Sequence, residues 1–410
     1  MDGRAASLTI TDKIPHLLDA GITLTVLSAV TGQQDQRFRH LRILPWGPAG
    51  LRFDLRHRIA LKWGRGLRYK LCTGLISLLL SPFNLLERSI IGLQSQWSWM
   101  PAAVFRALIE IRRERPELIY TTGGAYSAHW AGYWIKKLTG VKWIAEIHDP
   151  MLFPGTTPAT RNLQFQLKLE GMICREADLV WWFTEGALAS AQQRHPELAN
   201  KGRVIYPGAE PPQVQAEYVK GAKLIIGHFG SLSAVRSLKP FVDLFAALKS
   251  AFPEIAADIE IHCYGGPVDS AGLEAIRSQG LDQHFVLYGR LENDPVTGLS
   301  GRERIQQRMH QCDALLLIHG TTMDCAEYIP SKWYDYLWAK RPVLAFTHLN
   351  PSFTQMAINH GGYAVEMDDK TAALNLLKSL HTDWESNHLR KPTLSPIGTK
   401  QAVEMILGEL

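Results

Sequence analysis

Short apolar runs alternate with longer amphipathic stretches along almost the whole chain, and this alternation limits the folds that the sequence can adopt. The runs predicted as strands are 22–29, 118–122, 141–148 and 179–183, followed in the second half by 224–229, 259–264, 285–288, 314–318 and 343–346. The stretches with helical periodicity are 101–115, 127–138, 162–177, 240–251, 271–279, 302–311, 332–339 and 371–380. A repeated strand–helix–strand order is typical of parallel sheets covered by helices on both faces. The sequence therefore predicts an α/β protein.

The two series of strands are separated by a polar, proline-rich stretch, residues 207–221, which favours two domains. We expect two doubly wound, Rossmann-like domains that face a cleft. The predicted divisions are an N-terminal domain at 1–208, a linker at 209–222, a second domain at 223–385 and a C-terminal segment at 386–410, whose last helix near 400–407 packs back on the first domain. In open parallel sheets, ligands bind beyond the carboxyl ends of the strands, so the cleft is the expected active site.

Composition excludes several classes of protein and divides the chain by charge. Hydrophobic residues make up 46%, charged residues 20%, and the mean hydropathy is −0.09, which excludes a disordered chain and a polytopic membrane protein. Residues 1–210 contain 26 Lys and Arg against 17 Asp and Glu, whereas the remainder contains 18 against 22. The basic half predicts an anionic partner.

The five cysteines are widely spaced and form no C-x-x-C pair, which favours a cytoplasmic protein without disulfides or zinc.

A basic run precedes the most apolar part of the chain. Between Arg37 and Lys70 there are ten Lys and Arg but one acid, Asp54, and the apolar stretch 71–86 follows. Pro82 and Asn84 interrupt that stretch, so we expect it to be too short to cross a bilayer, which needs about 20 apolar residues. A basic run beside an apolar helix is typical of an interfacial membrane anchor, and predicts peripheral binding to the cytoplasmic membrane surface. A solvated basic face followed by a core helix is the alternative.

Two loops carry residues suited to binding phosphate and sugar. The first, 227–233, is a glycine-containing turn after a predicted strand, with Arg236 and Lys239 close behind, and its backbone N–H groups could meet phosphate oxygens. A tight turn with solvated charges would look the same.

The second loop, 327–335, places a carboxylate before a helix, a predicted cap at Ser331, a lysine in the first turn and a second carboxylate inside the helix. The alternative is a capped helix whose aromatic residues belong to the core.

The segment from Glu327 to Ala345 resembles the E-x7-E region of family-4-like glycosyltransferases of the GT-B fold. Other landmarks of that family occur in the same order, at 143–150, 170–184, 204–208 and 227–239, so the resemblance covers nearly the whole chain. There are two departures. The second acid is Asp335, one methylene shorter than the usual glutamate. The chain also begins, at Gly3–Arg4, inside the loop that follows the family's first strand, so we expect the first strand of the N-terminal domain to be missing.

The resemblance implies a sugar transfer from a nucleotide diphosphate sugar, with retention of configuration, no cofactor and no metal. It implies that Arg236 and Lys239 neutralise the departing diphosphate and that Glu327 holds sugar hydroxyls. His148 would face the donor sugar and the acceptor. The other implied positions are Gly230, Ser231, Gly289, Arg290, Ser331, Lys332 and Asp335 for the donor, with Asp335 on the ribose and Gly289 and Arg290 at the base, and Gly123 and Gly124 on the acceptor side.

The basic N-terminal half suggests a lipid-linked, phosphate-bearing saccharide acceptor at the membrane, as in lipopolysaccharide and other surface polysaccharide synthesis. Two further hypotheses remain open, a nucleotide-sugar 2-epimerase and an inactive scaffold of the same fold that binds nucleotide sugar. A nucleic-acid partner is disfavoured because the basic run lacks a recognisable module. The sequence indicates neither the sugar nor the base.

Overall fold

A computed structural model of the protein describes residues 9–31, 34–124, 126–214, 216–392 and 397–410. The expectation about Gly3–Arg4 lies outside the described residues. The chain divides into two compact units. The first extends to Tyr206 and includes Ala402–Leu410 at the C-terminus, and the second is Pro207–Gln401.

The first unit contains two parallel sheets. Strands β1 (Thr25–Ala29) and β2 (Arg39–Ile43) pair with each other. The other sheet has four strands in the order β3 (Leu118–Gly123), β4 (Lys142–Ile147), β5 (Leu179–Trp182) and β6 (Gly202–Val204). Strands β4 and β5 are buried at every position after the first, which suits a sheet covered on both faces.

Three helices of the first unit, in the part of the chain that the structure describes, are at positions that the periodicity predicts, namely Trp99–Glu114, Tyr126–Thr139 and Arg161–Glu176. In chain order, the helices before Tyr206 are α1 (Lys13–Asp19), α2 (Pro48–Trp63), α3 (Leu67–Ile90), α4 (Trp99–Glu114), α5 (Tyr126–Thr139), α6 (Arg161–Glu176) and α7 (Glu185–Arg194). Trp143 and Trp182 are fully buried between these helices and the sheet. On the other face, Ala402 and Ile406 of the last helix, α15 (Thr399–Gly408), pack on Trp181.

The apolar stretch that Pro82 was expected to interrupt is a continuous helix of 24 residues, α3. The expectation was wrong because a single proline inside a long helix removes one hydrogen bond without ending it when the flanking residues are strong helix formers. Helix α3 lies beside α2, and Arg52 Nε donates a hydrogen bond to Ser77 Oγ at 3.0 Å. By length and composition α3 could cross a membrane, although it is one helix within a hairpin.

The second unit is a six-stranded parallel sheet in the order β12-β11-β10-β7-β8-β9. Its strands are β7 (Leu224–Phe229), β8 (Ile259–Tyr264), β9 (Phe285–Gly289), β10 (Ala314–Ile318), β11 (Val343–Thr347) and β12 (Tyr363–Glu366). The chain enters at the centre, builds outward through β8 and β9, and then returns to place β10 on the other side of β7. Ligands bind at the carboxyl ends of strands where such an order reverses, which here is between β7 and β10.

Helices cover both faces of this sheet. They are α8 (Lys239–Ala251), α9 (Pro253–Ala257), α10 (Ser270–Ser278), α11 (Gly301–Gln311), α12 (Lys332–Trp338), α13 (Pro351–Asn359) and α14 (Lys370–Glu385). Phe241 and Phe245 of α8 and Leu377 of α14 are fully buried in the core. Five buried residues of β10 lie in the middle of the sheet, so the switch point rests on a rigid support.

Candidate functional site

Glycines with positive φ mark the carboxyl ends of the central strands in the second unit. Gly230, Gly265, Gly289 and Gly320 follow or end β7, β8, β9 and β10, with φ values of +110°, +124°, +68° and +155°. A Cβ at Gly265 would lie 2.5 Å from the carbonyl oxygen of Gly230, so the two loops touch through their backbones. Only glycine permits this close approach. Gly230 and Gly265 therefore form a ridge of closely packed backbone beside the switch point, and Gly230 is exposed on it.

Arg236 is the predicted phosphate ligand whose surroundings best fit that role. Its Nη2 donates a hydrogen bond of 2.9 Å to the hydroxyl of Tyr328, and the guanidinium lies 5.8 Å from the centre of that ring. The Nε atom is buried without a hydrogen-bond partner among the described residues. A buried guanidinium nitrogen without a partner is costly, and an anion that accepts its hydrogen bond would remove the cost.

Lys332 lies against the loop of Gly230. Its Nζ is 3.1 Å from Nε2 of His228, a residue with no solvent exposure. Burial, together with the positive charge of Arg236, lowers the pKa of Lys332 to about 7. Burial, followed by the positive charges of Lys332 and Arg236, holds the pKa of His228 well below its usual range, and its Nδ1 has no partner among the described residues. The nearby charge of Asp335 acts in the opposite direction on Lys332 but does not outweigh burial and Arg236, so the cluster remains one that an anion would stabilise.

The loop that holds Glu327 and Tyr328 is fixed by neighbouring strand ends. Asn350 Nδ2 donates to the carbonyl oxygens of Cys325 and Tyr328, at 2.9 and 3.2 Å. Nε2 of His319 bonds the carbonyl of Tyr328 at 2.9 Å, and the Tyr328 hydroxyl donates to the carbonyl of His319 at 2.6 Å. Glu327 is 3% exposed. Its carboxylate is therefore held on a rigid loop beside the switch point.

Other predicted donor residues are arranged less closely. Lys239 Nζ pairs with Asp243 one turn along its own helix, at 2.5 Å, and is half exposed. Arg290 is 78% exposed and pairs with Glu292. Ser331 occupies the N-cap position of α12 but has helical backbone angles and makes no side-chain cap, so its predicted capping bond is absent. Ser231 and Gly230 are exposed at the loop, and Asp335 lies in the first turn of α12.

A buried ionic cluster occupies the carboxyl ends of β3 and β4 in the first unit. Glu146, 1% exposed, accepts hydrogen bonds from Lys13 Nζ and the Tyr120 hydroxyl, and from Thr122 Oγ1 at 2.7 Å. Burial alone would raise the pKa of Glu146, but the Lys13 ammonium and the His148 imidazole outweigh it and hold that pKa well below its usual range. The carboxylate is therefore ionised.

The ionised carboxylate fixes the orientation of His148. Nε2 of His148 lies 2.8 Å from Glu146 Oε1 and 2.9 Å from Thr122 Oγ1. Because a carboxylate only accepts hydrogen bonds, Nε2 must carry a proton, which leaves Nδ1 to act as acceptor or base. The imidazole also stacks on Phe183, with ring centres 4.6 Å apart. Thus the predicted functional histidine is oriented from three sides.

The predicted acceptor-side glycines are positioned by a second buried histidine. Nε2 of His129 bonds the carbonyl oxygen of Gly123 at 3.1 Å, and Nδ1 lies 3.0 Å from Thr121 Oγ1. Gly123 has φ of +119°, and a Cβ at Gly124 would lie 2.7 Å from Asp149 Oδ2. Gly123 is thus favoured by its backbone angle, whereas a side chain at Gly124 would displace the carboxylate of Asp149. Burial lowers the pKa of His129 to about 4, so this histidine is neutral.

Sequence reasoning missed several residues of these sites. Glu146 and Lys13 were not predicted, although an acid inside the apolar run from Trp143 to Ile147 signals a buried partner. Tyr328, which binds Arg236, carried no comparable signal. Among the described residues, no group of three or more histidine, cysteine or acidic side chains could hold a metal ion.

No protein-family model and no curated protein matches the sequence. Solved structures do match. A sucrose-phosphate synthase from Thermosynechococcus elongatus is 15% identical with a TM-score of 0.53, and the match covers 72% of each chain. The trehalose-6-phosphate synthase OtsA is 12% identical with a TM-score of 0.51 and 76% of each chain covered. TarM is 13% identical with a TM-score of 0.53, covering 76% of this chain and 58% of that one. These structures are glycosyltransferases with two Rossmann-like domains, and the present chain has their fold, GT-B.

Proposed function

We propose that the protein is a glycosyltransferase that moves a sugar from a nucleotide diphosphate sugar to a saccharide acceptor. The observation that carries the proposal is the group of Arg236, Lys332 and His228 at the strand switch point, where two buried nitrogens have no hydrogen-bond partner among the described residues. Structures of the same fold support it, since TarM from S. aureus has been crystallised with UDP and an E. coli relative with UDP-2-fluoro glucose. UDP is accordingly the first nucleotide to test.

In this proposal the diphosphate of the donor lies over the glycine ridge. Backbone N–H groups near Gly230 and Ser231 contact the phosphates, and Arg236 and Lys332 neutralise the charge that develops as the bond to the sugar breaks. Stabilising a leaving group with fixed cations is a large contribution to catalysis in a water-poor site. Lys239 contributes a further positive charge, but Asp243 already neutralises part of it.

The other donor contacts follow the resemblance of this segment to the E-x7-E region. Glu327 accepts hydrogen bonds from sugar hydroxyls, which suits a buried carboxylate on a fixed loop. Asp335 binds the ribose, Ser331 and the first turn of α12 contribute at the phosphate end, and Gly289 and Arg290 border the base. Retention of configuration and independence of metal ions belong to the same proposal.

In the first unit, His148 is proposed to face the reacting sugar and acceptor. Its Nδ1 makes no hydrogen bond with the described residues, whereas Nε2 is committed to Glu146 and Thr122. A ring held by a carboxylate at one nitrogen can exchange a proton at the other. Gly123 and Gly124 give the acceptor access to the backbone beside it.

The acceptor is proposed to be lipid-linked, for use in surface polysaccharide synthesis, with the protein bound peripherally at the cytoplasmic face of the membrane. Helix α3 supports this, because only 6% of its apolar 18-residue stretch is buried. Nine large apolar side chains on α3 are exposed, namely Leu67, Leu71, Leu75, Leu78, Leu79, Phe83, Leu85, Leu86 and Ile90. An exposed apolar surface of this kind beside a basic helix is typical of a membrane contact.

The experiment is a transfer assay with labelled UDP-, GDP-, ADP- and dTDP-sugars and a bacterial lipid extract. We expect one nucleotide class to give label in the lipid fraction and an equal amount of free nucleoside diphosphate, with Glu327→Gln reducing both. Release of nucleotide without a labelled lipid would favour the 2-epimerase hypothesis. Binding of a nucleotide sugar with neither release nor transfer would favour an inactive scaffold.

A further inference from the structure

A cavity of about 660 Å³ lies in the first unit, and its lining includes none of the residues of the His148 cluster. It is bordered by β2, by the loop between β2 and α2, and by helices α2 and α4. Its polar and aromatic lining consists of Gln34, His40, Arg42, Trp46, Arg58, Phe105 and Arg106. A volume of this size is typical of a small-ligand site.

The lining is strongly cationic. Three arginines, Arg42, Arg58 and Arg106, border the cavity, and no acidic side chain of the described residues does. The nearest carboxylate bonded to this group is Glu110, which accepts hydrogen bonds from Arg39 at 2.9 and 3.1 Å and from Arg106 at 2.7 Å. Because Glu110 serves two guanidinium groups, positive charge remains in excess.

Arg106 and Arg58 retain donors for a ligand. The Nε atom of Arg106 is buried and has no hydrogen-bond partner among the described residues. Arg58 is exposed on α2, and its guanidinium forms no ion pair with them. Guanidinium groups bind phosphate oxygens in a bidentate manner, and several converging on one space are typical of a phosphate site.

The cavity is also continuous with apolar surface. The rings of Trp46 and Phe105 are 5.7 Å apart and are 60% and 57% exposed. Arg58 shares α2 with Phe53 and Leu61, which are 57% and 61% exposed, and α2 is paired with the apolar helix α3. A ligand in this cavity would therefore have its phosphate among arginines and any acyl or isoprenoid chain beside exposed aromatic and aliphatic side chains.

We propose that this cavity binds the phosphate headgroup of a membrane lipid, with a phosphate monoester bound more tightly than a phosphodiester because the three arginines offer more donors than a diester can accept. The proposal rests on the membrane location within the proposed function. The proposed membrane contact otherwise depends on the net positive charge and the exposed apolar area of the protein. The cavity would add a site for one specific headgroup. It requires no nucleotide sugar.

The test compares Arg58→Ala with Arg56→Ala. Arg56 is also exposed on α2 but does not line the cavity, so the two variants lose the same charge from the same helix. Binding is measured by flotation of the full chain with two sets of vesicles, one containing phosphatidic acid and one phosphatidylglycerol, adjusted to equal zeta potential.

Arg56→Ala should weaken binding to both sets by about fivefold, the effect of one lost surface cation. Arg58→Ala should show the same loss on phosphatidylglycerol and a further loss of about tenfold or more on phosphatidic acid, from the lost charge-assisted hydrogen bonds. Arg58→Lys, which retains charge but not the planar fork, should fall between wild type and Arg58→Ala.

Equal losses for the two alanine variants on phosphatidic acid would overturn the proposal. So would displacement of wild type from phosphatidic acid by inorganic phosphate at a concentration no higher than that of the lipid, since the site would then prefer free phosphate. Nucleoside diphosphate binding is measured on the same preparations. If one of these results overturns the headgroup site while nucleoside diphosphate still binds, the headgroup site has failed and the proposed transferase site has not.

Discussion

The proton on Lys332 should be coupled to binding of a nucleoside diphosphate. In the free protein the ammonium lies 3.1 Å from a buried neutral imidazole and near Arg236, and burial and that charge lower its pKa to about 7. A diphosphate supplies the missing negative charge and should restore the pKa towards the ordinary value of about 10.4. The bound state therefore holds more protons than the free state at every pH between these values.

The sign and size of the effect follow from this difference. Affinity for UDP should fall as the pH rises above 7, approaching about 1.36 kcal/mol per unit, or about fiftyfold between pH 7 and pH 9. Two titratable neighbours of Lys332 among the described residues have pKa values outside that window. Burial raises the pKa of Cys263 to about 12, and that of His228 is far below 7. The second ionisation of the UDP phosphate has a pKa of about 6, so it is largely complete at pH 7.

Isothermal titration calorimetry with UDP measures both the affinity and the proton uptake, the latter by comparing buffers of different ionisation enthalpy. Lys332→Arg is the matched control, because arginine remains charged across the whole range and should give a flat profile. The reasoning is refuted if wild type and Lys332→Arg show the same slope, or if wild type takes up no proton at pH 8.

Two further predictions concern stability and loop geometry. Lys13→Met leaves the buried carboxylate of Glu146 without its cation and should lower the free energy of unfolding by about 3–5 kcal/mol, whereas the exposed pair broken by Lys137→Met should change it by less than about 1 kcal/mol. Urea denaturation followed by tryptophan fluorescence measures both, and equal small changes would contradict the buried cluster. Gly265→Ala places a methyl group against the carbonyl of Gly230 at a φ of +124°, so it should cost about 1–3 kcal/mol and weaken UDP binding. Unchanged affinity would show that the ridge does not contact the donor.

The second sheet could be predicted closely from the sequence because its strands are mostly apolar and separated by amphipathic helices. Strands Leu224–Phe229, Ile259–Tyr264 and Ala314–Ile318 have the predicted bounds. Strand Arg39–Ile43 was not predicted, since two arginines and a histidine hide its pattern, and Tyr363–Glu366 is too short to show one. The continuous helix through Pro82 was missed because a breaker residue was weighted more than the helix formers around it.

The candidate site was predictable only in part, because its contacts join distant parts of the sequence. Loop composition indicated Arg236 and Lys332, but not that Lys332 would lie against His228, which is 104 residues away. The pair of Lys13 and Glu146 joins residues 133 positions apart and depends on how α1 packs beside β4. Such pairs are set by tertiary packing, for which single-sequence patterns carry no direct signal.

The most direct test of the account is calorimetric binding of UDP and of uridine to wild type, Arg236→Ala and Lys239→Ala. The account predicts that UDP binds wild type, and that Arg236→Ala weakens it by about ten- to a hundredfold, the value of a lost charge-assisted contact of about 1.5–3 kcal/mol. Lys239→Ala should weaken it less, because Asp243 already neutralises part of that charge. Uridine, which lacks phosphates, should bind wild type and Arg236→Ala equally. Failure of UDP and of the GDP, ADP and dTDP analogues to bind, or equal binding of UDP to wild type and Arg236→Ala, would contradict a donor site at this strand switch point.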